Sequence, residues 1–157
     1  MQLVVLGLNH KTVPVDIREQ FAISPDSARS GLIHLDEQEG IEEAVVLSTC
    51  NRTEIYAVLK DETAKETLYD FFLALSGNSE AKDEYFFYFE GEACIRHLFE
   101  VVSGLDSMVI GESQILNQIK TAYTMALEEK ATRTILNTLF HRAIRTGKRV
   151  RTETQIS

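Results

Sequence analysis

The sequence lacks most features that would place it in a specialised class. Its 157 residues contain no tryptophan, only two prolines and only two cysteines. Cys50 and Cys94 lie far apart and suggest no disulfide framework, which favours a reducing compartment. No run of 18 uncharged apolar residues occurs, so no membrane span is predicted. With 44% apolar residues, the composition predicts a globular cytoplasmic protein without a membrane partner.

Motifs for phosphate and metal binding are also missing. Neither GxGxxG nor GxxxxGK[ST], the glycine-rich loops that hold nucleotide phosphates, occurs in the sequence. The four histidines and two cysteines form no CxxC, HxxxH or HExxH spacing. We therefore predict neither a nucleotide site nor a metal site within this chain.

Charge is distributed unevenly along the chain. The net charge is −8, yet residues 130–152 contain seven Lys or Arg and no acid. The negative total argues against a general nucleic-acid coat, whose binding depends on cations. Arg142, Arg145 and Arg149 predict a cationic stripe on one helix face. Contact with RNA phosphate, support of an interdomain helix and simple solvation are all compatible with it, and the last two together are favoured.

Apolar periodicity predicts the element order βαββαβ followed by helices. Strands are predicted at 2–8, 42–48, 53–59 and 84–91, and helices at 25–39, where Pro25 follows Ser24, and 62–76. This is the ferredoxin-like split βαβ sandwich, an α+β fold in which helices cover one face of a four-stranded antiparallel sheet. We expect one domain, with a ferredoxin-like core at 1–92 and a C-terminal helical extension at 93–157.

Three apolar stripes predict the helices of that extension. They are Ile95, Leu98, Phe99 and Val102; Ile115, Ile119, Ala122 and Ala126; and Leu136, Leu139, Phe140, Ala143 and Val150. The glycine-containing loop SGLDSMVIGES separates the first two stripes.

The polar turn TCNR, residues 49–52, places a thiol between two apolar strands. The residues around Cys50 offer hydrogen-bond donors and a cation, which favour the nucleophilic thiolate. Cys94 lies beside Ile95 and Leu98, and packing alone explains it. From residue chemistry alone, Cys50 fits a small turn-filling residue as well as a nucleophile.

Four sequence blocks resemble glutamyl-tRNA reductase. They are GLNHKTVPVDIRE, VVLSTCNRTEIY, HLFEVVSGLDSMVIGESQILNQIKTAY and HRAIRTGKRVRTET, in the family's order and over essentially the whole chain. The resemblance is to the N-terminal catalytic domain only. It implies that NADPH and the homodimer interface belong to the further domains of the full-length family.

The resemblance implies a two-step reaction on glutamyl-tRNA(Glu). Cys50 matches the family nucleophile, which attacks the glutamyl ester to form a thioester. NADPH then reduces the thioester to glutamate-1-semialdehyde, which enters 5-aminolevulinate and tetrapyrrole synthesis. The chain by itself is expected to transfer or hydrolyse the acyl group without reducing it.

The resemblance also implies a polar pocket for the glutamate moiety. The guanidinium of Arg52 suits a carboxylate, and the amides of Gln114 and Gln118 project to one side of a helix. His97 matches a family histidine important for activity and is predicted to flank the core as a general acid/base or orienting residue, and His10 is a weaker candidate. The implied substrate contacts are Thr49, Asn51, Arg52, Ser107, Glu112, Ser113, Gln114 and Gln118.

A hypothesis from another class remains open. A ferredoxin-like module can bind an amino acid or RNA without catalysis, because a fold does not fix a function. The aromatic segment EYFFYFEG has acidic flanks and lacks an RGFGF-like motif, which disfavours RNA readout. The residue pattern identifies neither the group that stabilises the oxyanion nor the source of tRNA specificity.

Overall fold

A four-stranded antiparallel sheet forms the centre of the fold. This computed structural model describes residues 1–76, 82–106 and 114–154. Strands β1 (Gln2–Asn9), β2 (Ile41–Ser48), β3 (Arg52–Leu59) and β4 (Phe87–Glu90) lie in the order β2-β3-β1-β4. Each neighbouring pair is antiparallel. The predicted split βαβ order is therefore confirmed.

Six α-helices are present in the described residues. They are α1 (Val15–Gln20), α2 (Pro25–Glu37), α3 (Lys65–Ser76), α4 (Glu92–Val102), α5 (Gln114–Glu128) and α6 (Thr134–Thr154). The short helix α1 was not predicted from the sequence. Helix α2 begins as predicted, because the Ser24 side chain accepts a hydrogen bond from the Ser27 amide and proline occupies the first position. Within the described ranges, no helix meets the length and hydropathy needed to cross a membrane.

Helices cover both faces of the sheet, and the sequence did not specify that the C-terminal extension covers the second face. All eight residues of β3 are buried, although neighbouring side chains point to opposite faces. On one face, Thr53 donates to the Phe21 carbonyl just before α2. On the other, the Tyr56 ring packs edge-on against Phe140 of α6. The C-terminal helices thus form the second layer of the fold.

Two predicted elements differ in detail. The strand predicted at 84–91 is shorter, because a 3-10 turn at Asp83–Tyr85 precedes it. On α4 the buried face includes Cys94 and His97, whereas Ile95 is 40% exposed. The sequence pattern misplaced this face because it treated histidine as polar. The predicted stripes of α5 and α6 are buried, except that Val150 is only half-buried.

Glu43, a buried residue of β2, closes the N-terminus of α6. Its Oε1 atom accepts from the amides of Arg133 at 2.6 Å and Leu136 at 2.9 Å, and its Oε2 atom accepts from the Ile135 amide at 3.3 Å. The first amides of a helix have no partner within the helix. A carboxylate there also interacts favourably with the helix dipole. Glu43 therefore joins the second helical layer to the sheet.

Replacing Glu43 tests this junction. We expect Glu43→Ala to lower the free energy of unfolding by about 2–4 kcal/mol, because several amides lose their acceptor inside the protein. Urea denaturation followed by circular dichroism measures the change. The exposed Glu39→Ala is the control and should change stability by less than about 0.5 kcal/mol. Equal effects of the two substitutions would contradict the assigned role of Glu43.

Candidate active site

The TCNR turn that joins β2 to β3 is held by its own hydrogen bonds. The Thr49 amide donates to the Arg52 carbonyl at 2.8 Å, which closes the turn. The Asn51 amide donates to Thr49 Oγ1 at 3.1 Å. A polar side chain that bonds the backbone two residues ahead is a common stabiliser of tight turns. The polar residues around Cys50 therefore shape the turn.

The loop and helix after β1 support the same turn from outside. The His10 amide donates to the Asn51 carbonyl at 3.1 Å, and Arg18 Nε donates to the Cys50 carbonyl at 3.3 Å. Arg18 Nη1 also donates to the Val13 carbonyl at 3.0 Å, so two nitrogens of the guanidinium are hydrogen-bonded. The backbone at Cys50 is thus braced, and a cationic side chain lies beside it.

The two cysteines have opposite environments. Cys50 is exposed, whereas Cys94 is fully buried on α4. Burial, helped by the charge of Glu54, raises the pKa of Cys94 to about 12. Its thiol stays protonated at neutral pH and is a poor nucleophile. Exposure in a braced turn therefore distinguishes Cys50 as the cysteine able to react with a large substrate.

Beneath the turn, a buried polar network follows one face of β3. Arg52, Glu54 and Tyr56 alternate along the strand and so project to the same side. Arg52 Nη1 donates to Glu54 Oε2 at 3.1 Å and to Asp106 Oδ2 at 2.9 Å. Tyr56 donates to Glu54 Oε1 at 2.7 Å. Only 1% of the Arg52 side chain is exposed, so its guanidinium is engaged inside the protein.

His97 belongs to this network, and the expectation that it flanks the core is wrong. Its Nε2 atom lies 2.7 Å from Glu54 Oε2, and the residue is 6% exposed. Its ring packs against Phe87 and Phe89, with centroids 4.9 and 5.3 Å away. Glu54 lies in β3, two residues past Arg52, whereas Cys50 lies in the turn that precedes the strand. The imidazole is therefore bonded to a carboxylate on β3, beyond the TCNR turn that carries Cys50. We call residues 49–52 the thiol turn.

Asp106 links the network to the segment that carries several predicted site residues. Its carboxylate forms an ion pair with Lys11 as well as with Arg52, and its carbonyl accepts from Arg52 Nη2. The Lys11 amide in turn donates to Asn9 Oδ1 at 2.9 Å. Lys11, Arg52 and Asp106 come from three of the four sequence blocks described above, so these blocks meet at the Asp106 carboxylate. The predicted contacts Ser107, Glu112 and Ser113 lie outside the described residues.

The network lowers the pKa of both buried carboxyl groups. Burial alone would raise the pKa of Glu54, but hydrogen bonds from His97 and Tyr56 and the Arg52 charge outweigh it. Burial would likewise raise the pKa of Asp106, and the bonds from Lys11 and Arg52 reverse the direction. Both groups are therefore carboxylates at neutral pH. They offset the charge of the buried guanidinium.

These pKa shifts predict loss of stability in acid. A carboxyl group whose pKa is lowered in the folded state stabilises it above the unfolded pKa, about 3.9 to 4.3. That contribution disappears as pH falls through the lower, folded values. We expect the free energy of unfolding to decline below about pH 4, as measured by urea titrations at successive pH values. Asp106→Asn should flatten this decline, and an unchanged slope in that variant would contradict the assignment.

The two predicted glutamines occupy different positions. Gln118 is half-buried and, with Ser48, lines a cavity of about 270 Å³ between α2, β2 and α5. Ser48 ends β2 two residues before Cys50, so this cavity opens beside the thiol turn. Gln114, at the first position of α5, is exposed and does not line the cavity. The structure therefore brings Gln118, but not Gln114, into this cavity.

His10 has an imidazole that the protein does not fully engage. Its Nδ1 atom is enclosed, yet it has no hydrogen-bond partner among the described residues. Burial and then the Arg52 charge lower the pKa of His10, which keeps the ring neutral near pH 7. Its backbone contacts Asn51, as described above. A neutral imidazole next to the thiol turn is suited to accept a proton.

Several residues of the site were missed by sequence reasoning. Glu54 and Asp106 bond to Arg52, Arg18 bonds to the turn, and Lys11 bonds to Asp106. The alternation of Arg52 and Glu54 within a strand was a usable signal, because residues two apart share a face. No local pattern marks Asp106 or Lys11. Across the described ranges, no group of three or more His, Cys, Asp or Glu residues is arranged to hold a metal ion.

Comparison with known proteins gives consistent matches. A family profile described as "Glutamyl-tRNAGlu reductase, N-terminal domain" matches residues 6–154. Curated proteins named glutamyl-tRNA reductase from Rubrobacter xylanophilus and Pelobacter propionicus are 48% and 46% identical, with 99% and 100% of this chain covered. This chain spans only 37% and 36% of their lengths.

A solved structure gives the same match in three dimensions. The glutamyl-tRNA reductase from Methanopyrus kandleri has a TM-score of 0.79 and 35% sequence identity. The match covers 99% of this chain and 35% of that chain. The described fold is thus that of the corresponding part of a longer protein.

Proposed function

Because the chain belongs to the family of glutamyl-tRNA reductase N-terminal domains, we propose that it is the catalytic domain that takes the glutamyl group from glutamyl-tRNA. The observation that carries the proposal is the contrast between its two thiols. Cys50 is exposed in a turn fixed from both sides, whereas Cys94 is buried and protonated. We also propose that this chain acts in the cytoplasm.

The proposed step is acyl transfer to the Cys50 sulfur. The sulfur forms a bond to the carbonyl carbon of the ester, and the bond between that carbon and the ribose oxygen breaks. The thiol proton passes to a base and from there to the departing ribose oxygen. The product is a thioester, which keeps the acyl group electrophilic for a second step.

We assign the proton transfer to His10, and to His97 an orienting role. The enclosed Nδ1 atom of His10 has no partner in the described part of the chain, and its lowered pKa favours the neutral ring. His97 is committed to Glu54, which in turn holds Arg52. Through these contacts His97 helps to position Arg52, the last residue of the thiol turn.

The glutamate contacts implied by the resemblance remain proposals. Thr49, Asn51 and Gln118 lie at or beside the turn and are suited to the ammonium and carboxylate groups. For Arg52 we propose a positioning role, because a substrate carboxylate must displace Asp106 or Glu54 to reach it. The remaining proposed contacts are Ser107, Glu112, Ser113 and Gln114.

The residues of this chain do not fit NADPH. Dinucleotides bind at the ends of parallel strands, where a glycine-rich turn leads into a helix. The described strands pair only in antiparallel fashion, and the sequence has no such turn. We therefore derive no reduction step from these residues. We propose that hydride transfer from NADPH and formation of a homodimer depend on the parts of the longer relatives that this chain does not cover.

The mass of the protein tests the proposal. Incubation with glutamyl-tRNA followed by acid quenching should add one glutamyl group to the wild type and none to Cys50→Ser. A non-catalytic module that binds an amino acid or RNA would return an unmodified mass in both. If neither protein carries an adduct and the ester is not consumed, the proposed function is wrong.

A further inference from the structure

A cleft of about 350 Å³ lies between α5 and α6, outside the thiol turn. Three of its lining residues are Lys or Arg, namely Lys120 from α5 and Arg145 and Lys148 from α6, and His141 of α6 lines it beside them. The other lining residues are Tyr123, Thr124 and Ile144, so the cleft contains no carboxylate. We call this feature the α5–α6 cleft.

The surroundings of the cleft keep its positive charge uncompensated. Residues 114–148 contain six Lys or Arg and only two acids, in a chain whose net charge is −8. Both acids, Glu128 and Glu129, bond to Arg29 of α2, at 3.1 and 3.0 Å. In the described part of the chain, no ion pair joins Lys120, Arg145 or Lys148 to a carboxylate. The cleft is therefore a concentrated site for an anion.

The predicted arginine stripe is divided by its surroundings. Arg149 pairs with Glu153 at 3.3 Å on the exposed side of α6. Arg142 lines a different groove, together with Leu139 and Ile135. Arg145 alone of the three enters the α5–α6 cleft. The position of each arginine relative to α5, more than its spacing along α6, thus determines which surface it lines.

Helix α5 separates the cleft from the cavity beside the thiol turn. Gln118 lines that cavity, while Lys120 and Thr124 line the cleft. Thr121 also lines the cavity, and a neighbouring groove that it forms with Lys120 and Thr124 contains the paired Arg29 and Glu128. A helix is about 10 Å across and rises 1.5 Å per residue, so the two sites lie within roughly 15 Å of each other.

We propose that the α5–α6 cleft binds backbone phosphates of the substrate RNA. This inference rests on the proposed function, which puts the ester at the 3′ end of the RNA next to Cys50. Phosphates along one strand of duplex DNA recur about every 3.4 Å of axis, and the spacing in RNA is of the same order. An RNA that presents its end to the turn and crosses α5 therefore brings phosphates only a few nucleotides away to the cleft.

Salt-dependent binding tests the cleft. Fluorescence anisotropy with labelled tRNA(Glu) that carries no amino acid gives the Kd at several salt concentrations. Arg145→Gln/Lys148→Gln should raise the Kd about tenfold or more and reduce the slope of log Kd against log salt by about 1 to 2. The control, Lys60→Gln/Lys82→Gln, removes the same charge from exposed residues elsewhere. Equal effects of the two double variants, or no effect of either, would overturn the proposal.

A small substrate separates this inference from the proposed function. Glutamate esterified to adenosine carries the reacting ester but no backbone phosphate. Arg145→Gln/Lys148→Gln should form the Cys50 adduct from it at the wild-type rate, yet at least about tenfold more slowly from limiting glutamyl-tRNA. Equal slowing on both substrates would overturn the role of the cleft. If the wild type neither forms an adduct nor consumes the ester of either substrate, the function is rejected, while the binding measurement still decides the role of the cleft.

Discussion

Cys50→Ser should slow the consumption of glutamyl-tRNA by this chain about a thousandfold or more, since loss of a covalent nucleophile removes the reaction route itself. A serine hydroxyl fits the exposed turn, so the fold should be retained. Acid gel electrophoresis, which separates charged from uncharged tRNA, measures the ester that remains. The rate in Cys50→Ser should approach that of buffer alone.

Cys94→Ser is the matched control for this measurement. Cys94 is buried and its pKa is raised to about 12, so it supplies no thiolate at neutral pH. Its replacement should leave ester consumption within about threefold of wild type at equal folded concentration, because the reacting thiolate is elsewhere. If Cys94→Ser lost activity as completely as Cys50→Ser, the assignment of the nucleophile would be contradicted.

Arg52→Ala should have the largest effect on stability. The substitution leaves Glu54 and Asp106 as buried carboxylates without their common cation, which costs about 3–5 kcal/mol in comparable networks. We expect the midpoint of urea denaturation to fall sharply. The exposed Arg96→Ala, on α4, should change stability by less than about 0.5 kcal/mol.

The same variant separates two roles of Arg52. The sequence resemblance predicts that its guanidinium holds the glutamyl group, whereas the structure shows it engaged by Glu54 and Asp106. A stable Arg52→Ala protein that loses only substrate affinity would contradict the positioning role and favour the substrate contact. A destabilised protein would support the buried network as the main function of this residue.

Much of the fold could be predicted because its signals are local. Alternating or continuous apolar residues predicted all four strands, and Ser24 with Pro25 predicted the start of α2. The second layer over the sheet was not predicted, since nothing local tells a strand buried on one face from a strand buried on both. The contact between Glu43 and the start of α6 joins residues about ninety positions apart, and no local pattern encodes it.

The candidate site likewise contains residues that local sequence predicts and residues whose positions depend on long-range contacts. The turn residues around Cys50 are contiguous and were predicted together. His97 was placed at the edge of the core because it lies one residue before the predicted stripe of Leu98 and Phe99. Its burial depends on Glu54 and on Phe87 and Phe89. These partners come from two different strands, and only the folded chain brings them to α4.

The most direct measurement is the location of the glutamyl group after reaction with glutamyl-tRNA. Peptide mapping of the acid-quenched protein by tandem mass spectrometry identifies the modified residue. The proposed mechanism predicts a single glutamyl thioester on the peptide that contains Cys50, with an unmodified Cys94 peptide. A glutamyl group on any other residue, or an unmodified Cys50 peptide together with no consumption of the ester, would contradict it.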